Sequence, residues 1–143
     1  MLFLVHHAQA VDGAVDPQRP LTERGRAHAE ALAARVAARG VKPSVIWHSG
    51  KLRARQTAEY FWRACNPLAE CLAVKSLQPD DPAQWIKDVV EGDPRDIMLA
   101  GHMPHLDRLL QLLVRDRGAG SFPAHACVAL EQREGVWREV WRE

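Results

Sequence analysis

Three short apolar runs each end in a histidine or an arginine, and each is followed by a stretch of helical character. Leu2-Phe3-Leu4-Val5 runs into His6-His7, Val45-Ile46-Trp47 into His48-Ser49 and then Arg53, and Ile97-Met98-Leu99-Ala100 into Gly101-His102. Unbroken apolar runs of this length fit strands buried on both faces, the pattern of a parallel sheet covered by helices. In such sheets ligands bind beyond the carboxyl ends of the strands, so the residues that end the runs are expected to converge. Here the converging groups are imidazoles and a guanidinium. That set suits a phosphorylated ligand, because arginine grips phosphate oxygens through its fork and imidazole can attack phosphorus or donate hydrogen bonds.

The segments between the runs complete an alternating α/β pattern. Thr22 is placed to cap a helix that runs through an alanine-rich stretch to Arg39 and closes at Gly40. A second helix is expected from Leu52 to Ala64, ended by Asn66-Pro67. Cys71 to Val74 reads as a short strand, and the Pro79-Asp80-Asp81-Pro82 turn as the start of a helix through Val90, capped by Asp80 or Asp81. Pro104 fits the first turn of a helix to about Val114, with Arg115 to Pro123 as loop. Ala126 to Leu130 and Val136 to Trp141 read as a hairpin around Glu134-Gly135, with Val136, Arg138 and Val140 alternating against Trp137, Glu139 and Trp141. The expected fold is a three-layer α/β/α domain spanning residues 1–143, with a mostly parallel central sheet, helices on both faces and a C-terminal β-hairpin.

Charge and cysteine usage narrow the function. Nineteen basic residues against 18 acidic ones give a formal net charge of +1, so no global field attracts nucleic acid, and any anion affinity is local. Cys65, Cys71 and Cys127 have no zinc-type spacing and an odd count, which fits reduced thiols and a cytoplasmic protein. The first apolar run is too short for a signal-peptide core, and no later segment has the length to span a bilayer.

Motifs in order along the chain resemble the histidine phosphatase superfamily, the phosphoglycerate mutase-like proteins. Leu4-Val5-His6-His7-Ala8 followed by Arg19-Pro20-Leu21-Thr22-Glu23-Arg24-Gly25 resembles the opening of that family. Ser49-Gly50-Lys51-Leu52-Arg53-Ala54-Arg55-Gln56-Thr57-Ala58 is similar to its second motif, and Gly101-His102-Met103-Pro104 to its later Gly-His-x-Pro motif. The short length and the Arg-Pro-Leu-Thr run point to the small, SixA-type phosphohistidine phosphatase branch. The matches extend from residue 2 to about residue 114.

The resemblance implies that His7 is the nucleophile, carrying a phosphoryl group until water removes it. It also implies that Arg53 and His102 hold phosphoryl oxygens, with Arg19 facing the same pocket, and that no metal or other cofactor is needed. Substrates would be a phosphorylated protein, phosphohistidine above all, or a small phosphate ester. The general acid is open; only Asp80 and Asp81 lie in a suitable loop, and a phosphohistidine substrate relaxes the need because imidazole leaves from phosphorus readily. Asp80 and Asp81 also fit plain turn and capping roles.

One departure bears on activity. The family's first motif is Arg-His-Gly, whereas this chain has His6-His7-Ala8, so His6 stands where a phosphate-binding arginine is expected and Ala8 adds a methyl group near the phosphate's approach. A neutral imidazole in place of a fixed cation predicts weakened activity, favoured in acid or supported by Arg19. It also motivates an alternative, a phosphate- or phosphoprotein-binding pseudoenzyme of the same fold. A metal reading of His6, His7, His102 and His105 is the least favoured, because adjacent strand residues point to opposite faces. His28 and His125 receive no role, and His48 is the one other histidine placed to touch substrate.

Overall fold

The apolar runs become the middle of one sheet. In the computed structural model, which describes residues 1–13, 15–115 and 120–143, the strands are β1 (Leu2–His6), β2 (Val45–His48), β3 (Glu70–Ala73), β4 (Ile97–Gly101), β5 (Cys127–Arg133) and β6 (Val136–Arg142). Their order is β3-β2-β4-β1-β5-β6. β1, β4, β2 and β3 run parallel, while β5 is antiparallel to β1 and β6 to β5. The three runs are the three adjacent strands β2, β4 and β1. Their register pairs His6 with Gly101 and His48 with Ala100, so these strands end level with one another.

Alternation along β1 explains the layers. Leu2 and Leu4 point into one core with Ile86 and Val90 of α3 (Ala83–Glu91) and Leu106, Leu109, Leu110 and Leu113 of α4 (His105–Leu113). Phe3 and Val5 point into the other, with Leu32, Ala33 and Val36 of α1 (Glu23–Ala38) and Ala58 and Phe61 of α2 (Leu52–Cys65). Burying each large apolar side chain contributes roughly 1.5–3 kcal/mol, which is what holds helices on both faces. The three-layer α/β/α arrangement and the hairpin are as the sequence predicts. Among the described residues no helix is long and apolar enough to cross a membrane.

Local signals hold at most helix ends and fail at identifiable points. Thr22 caps α1 by accepting from the Gly25 N–H at 2.9 Å, and Gly40 follows the helix at φ +80°. Gly25 itself admits no side chain, since a Cβ there would lie 2.1 Å from the Gln9 carbonyl oxygen. Neither Asp80 nor Asp81 caps α3. Its N-cap is Pro82, and the Asp81 carboxylate instead accepts from the Gln78 N–H at 2.9 Å, closing the preceding turn. Pro104 sits at the N-cap of α4, one position before the first turn.

The hairpin departs from simple alternation. Leu130 pairs with Glu139 but Ala129 with Trp141, so β6 carries an extra residue, Val140. A bulge reverses which face the following residues take. Trp137 therefore packs into the α3/α4 core and Trp141 against the α1/α2 core, although both have the same parity. Of the loop expected from Arg115 to Pro123, residues 116–119 lie outside the described residues, as does residue 14 in the loop after β1.

Candidate active site

Level strand ends gather the predicted residues. His7 follows β1, His48 ends β2 and Ser49 follows it, His102 follows β4, and Arg53 sits in the first turn of α2. The His7 and His102 rings are 5.1 Å apart between centroids, and the His6 and His7 rings 4.5 Å. Their approach corrects the expectation that adjacent strand residues keep apart: β1 ends at His6, and the chain turns there.

Hydrogen bonds fix the state of His7. Its Nδ1 lies 2.7 Å from the Ala8 carbonyl oxygen, and since a carbonyl only accepts, Nδ1 carries the proton. Nε2 is then left with its lone pair, the state a nucleophile needs. Burial lowers the His7 pKa to about 4, with the positive charges of Arg53 and Arg19 and the His125 ring adding to the effect against the opposing Ala8 hydrogen bond. At neutral pH the ring is uncharged, with the Nε2 lone pair available.

His102 is held from below. Its Nε2 is 2.6 Å from Ser49 Oγ, which also accepts from the Lys51 N–H at 3.3 Å. Ser49 Oγ can donate or accept at Nε2; when it donates, the ring proton is on Nδ1, a buried atom without a protein partner among the described residues. Burial, then His7 and Arg53, lower the His102 pKa to about 2, so this ring is neutral. The side chain does not cap α4; that task falls to the His102 carbonyl, which accepts from the Leu106 N–H at 2.9 Å.

Arg53 has the same incompleteness. Its guanidinium donates from Nη1 to the Asp16 carbonyl oxygen at 3.0 Å and lies 3.2 Å from the Asp16 carboxylate, while Nε is buried and unpaired among the described residues. Buried N–H groups without partners are rare in native proteins and ask for an explanation. An oxyanion bound in this pocket would supply one. Thr57 braces the loop from behind by accepting from the Ala8 N–H at 3.0 Å and donating to the Arg53 carbonyl at 2.8 Å. The Ala8 methyl packs with Leu21 and Ala29, directed into a small core cluster and not toward the phosphate's approach.

Arg19 reaches the same place by way of Asp16. Lys51 Nζ, Arg53 Nη1 and Arg19 Nη1 all pair with the Asp16 carboxylate, the last two at 3.2 and 3.6 Å. The Lys51 hydrogen bond holds the Asp16 carboxyl below the usual carboxylate range. Asp16 and Lys51 escaped the sequence reading because nothing in the spacing marks a loop aspartate as the partner of three cations. Asp80 is exposed, and Asp81 is turned to Gln78 and faces His105; neither is brought to His7. His48 is buried and accepts from the Gly50 N–H, which closes the turn after β2.

His28 and His125, unassigned from the sequence, are both here. His125 stacks on His6 at 4.8 Å and 7°, and its Nδ1 donates to the His7 carbonyl at 2.6 Å; His28 Nε2 donates to the His125 carbonyl at 3.0 Å. Ring nitrogens of His6, His7 and His125 lie within 4.8 Å of one another. They do not make three metal ligands in this hydrogen-bond pattern, because His6 Nδ1 accepts from the His125 N–H and its proton is thereby on Nε2. His105 lies apart from this group, buried at the start of α4.

A family model described as histidine phosphatase superfamily, branch 1, matches residues 2–78, which takes in β1, the Arg19 loop, α1, β2 and α2. The chain belongs to the histidine phosphatase superfamily. Within that family its fold is SixA-like: a structure from Agrobacterium tumefaciens assigned as the phosphohistidine phosphatase SixA superposes with a TM-score of 0.86 at 25% identity, covering 99% of this chain and 96% of that one. The protein histidine phosphatase SixA complexed with tungstate gives 0.88 at 22% identity over 99% and 94% of the two chains. Human mitochondrial serine/threonine-protein phosphatase PGAM5 is 33% identical over 97 residues, 63% of this chain. The match takes in only 34% of PGAM5, so this chain spans about a third of the curated relatives it matches.

In this member of the histidine phosphatase superfamily, Asp16 pairs with the cations that a bound oxyanion would use. Replacing Asp16 with asparagine keeps the main-chain carbonyl that Arg53 holds and removes the competing charge. Asp16→Asn is expected to tighten binding of inorganic phosphate by roughly tenfold at low ionic strength, an effect that salt reduces. Calorimetric titration checks it; weaker binding in the variant would show that Asp16 positions the cations and does not compete for them.

Proposed function

We propose that this chain is a phosphatase that accepts a phosphoryl group on His7 and releases it to water, with phosphohistidine proteins as preferred substrates and phosphate esters as slower ones. One observation carries the reading: a neutral imidazole with its Nε2 lone pair free stands 5.1 Å, ring to ring, from His102, whose buried Nδ1, like the buried Nε–H of Arg53, lacks a partner among the described residues. The Nε2 lone pair attacks phosphorus as the bond to the leaving group breaks, and the leaving group takes that electron pair. The charge that develops on the His7 ring is shared with the Ala8 carbonyl at Nδ1. Water then attacks phosphorus, its protons staying with the released phosphate, and Nε2 recovers its lone pair. Arg53 and His102 hold the equatorial oxygens in both steps.

Substrate preference follows from protons. Asp16, the carboxylate held by the pocket's cations, is kept ionised by Lys51 and is a poor general acid. A leaving group that departs without a new proton, such as the protonated imidazole of phosphohistidine, suits this site better than an alkoxide. The names of the relatives, a phosphohistidine phosphatase and a serine/threonine-protein phosphatase, support a phosphoprotein as the substrate class.

The test is hydrolysis of a phosphohistidine-containing protein and of an aryl phosphate, with chelator present, together with capture of the phosphoenzyme. Chelator-resistant turnover of both substrates, faster on phosphohistidine, with an acid-labile and base-stable phosphoenzyme, is the expected result. Phosphate binding without turnover or phosphoenzyme overturns it in favour of a phosphate-binding pseudoenzyme, for which His6 in place of arginine is the specific motive.

A further inference from the structure

His6 is the residue at which this chain departs from its family's motif, and its surroundings specify more than a lost arginine. The His125 main-chain N–H points at His6 Nδ1 at 2.8 Å. An amide N–H only donates, so Nδ1 must offer a lone pair, and a neutral ring then carries its proton on Nε2. Protonating Nδ1 would set two donors against each other and forfeit that hydrogen bond. Nε2 has no protein partner among the described residues, and the ring stands edge-on to the nucleophile's ring at 4.5 Å.

The donor that enforces this state is itself held in place. His125 is a non-glycine residue in the left-handed region, φ +52°, a conformation that persists only where surrounding contacts over-determine it. Those contacts are the Nδ1–H bond to the His7 carbonyl, the His28 bond to the His125 carbonyl, and the stack of the His125 ring on His6. His125 thus touches both histidines of the first motif from the loop before β5, and His28 supports it from α1.

We propose that His125 is a positioning residue that locks His6 as the neutral Nε2–H tautomer, so that His6 gives the phosphoryl group one uncharged hydrogen bond where the family gives it an arginine fork. The inference rests on the phosphoryl pocket described above, but it concerns the state of His6 and not turnover. His7, His125, Arg53 and His102 are the titratable groups that face His6, and none supplies a negative charge that would favour an imidazolium. Burial, ahead of these neighbours, lowers the His6 pKa to about 3, in accord with the hydrogen-bond pattern. The acid-favoured activity expected from a free imidazole at this position is therefore replaced by a donor whose strength does not change between about pH 5.5 and 8, a range that brackets an unperturbed histidine.

Long-range nitrogen–proton correlation spectra of the 15N-labelled chain distinguish neutral Nε2–H, neutral Nδ1–H and charged imidazole directly. The neutral Nε2–H pattern for His6 across pH 5.5 to 8, with its Nε2 proton shifting when inorganic phosphate is added, is the expected result. His125→Gly keeps the N–H and the left-handed backbone but removes the ring's anchors; it should give a mixed tautomer at His6. His6→Gln retains an N–H near the Nε2 position and should hold phosphate within about threefold of wild type, whereas His6→Phe keeps the stack without the donor and should lose about tenfold or more. A charged or Nδ1–H ring at pH 7, or phosphate binding by His6→Phe equal to wild type, overturns the proposal. Neither readout needs turnover: a chain that hydrolyses nothing but shows this tautomer and the phosphate shift refutes the phosphatase reading alone, and an active chain with a charged His6 refutes this one alone.

Discussion

His7→Ala is expected to abolish the phosphoenzyme and to lower turnover on the order of a thousandfold or more, as removal of a covalent nucleophile does. The same substitution should leave the fold intact at neutral pH and make it more resistant to acid. His7 is half-buried at a strand end, and the bonds that shape its loop are main-chain ones: Ala8 N–H to Thr57, His7 N–H to the Gly101 carbonyl, His7 carbonyl to His125. Alanine keeps all three. What it removes is an imidazole that the folded state holds neutral down to about pH 4. At pH 5.5 that is worth about 1.4 kcal/mol to the variant, one pH unit below an ordinary histidine. Turnover and urea unfolding at pH 7 and 5.5 check both halves. Residual activity within tenfold of wild type would move the nucleophile elsewhere, and a variant less stable at both pH values would mean that its loss of activity reports a damaged loop.

The parts legible in the sequence are those written in local terms. Continuous apolar runs marked β1, β2 and β4, and Thr22 with Gly40 marked both ends of α1, because strand burial and helix capping act over a few residues. The motif order brought His7, Arg53 and His102 to one place, as the level ends of the parallel strands require. What escaped is contact between segments distant in sequence. Asp16 meets Lys51 and Arg53 across 35 and 37 residues, and His125 meets His6 across 119. Neither pairing leaves a periodic or spacing signal. Asp81 misled for a related reason: an aspartate before a helix is a good cap by preference, but here the Gln78 N–H is nearer and takes the carboxylate. At β6 a single extra residue, Val140, turned the two tryptophans to opposite faces, a reversal no alternating pattern can announce.

The protein should lose stability steeply as pH falls below about 6.5, the ordinary pKa of histidine, well before its carboxylates titrate. His6, His7 and His102 have their pKa values lowered to about 3, 4 and 2, first of all by burial, and burial also lowers those of His48 and His105. Above pH 6.5 the rings are neutral in both the folded and unfolded chain and cost nothing. Below it the unfolded chain takes up protons that the folded chain refuses, so each ring penalises folding by about 1.4 kcal/mol per pH unit until the folded pKa is reached. The three strongly shifted rings alone give a loss of at most about 4 kcal/mol at pH 5.5, a large share of a typical stability of roughly 5–15 kcal/mol. Asp16, Asp93 and Glu143 are shifted down as well, but their contribution is lost only below the ordinary carboxylate range and leaves this window untouched. Urea unfolding at pH 7.5, 6.5 and 5.5 measures the slope: nearly level above 6.5, then falling with an uptake of about two to three protons on unfolding. A stability at pH 5.5 within 1 kcal/mol of that at pH 7.5, on the order of a single shifted ring's penalty or less, would show that these histidines are charged in the folded state. The neutrality of these rings in acid, and with it a His6 donor of constant strength down to pH 5.5, would then fall together. The expected acid lability and the neutral rings of the proposed mechanism have one cause, the desolvation of imidazoles packed at the ends of three parallel strands.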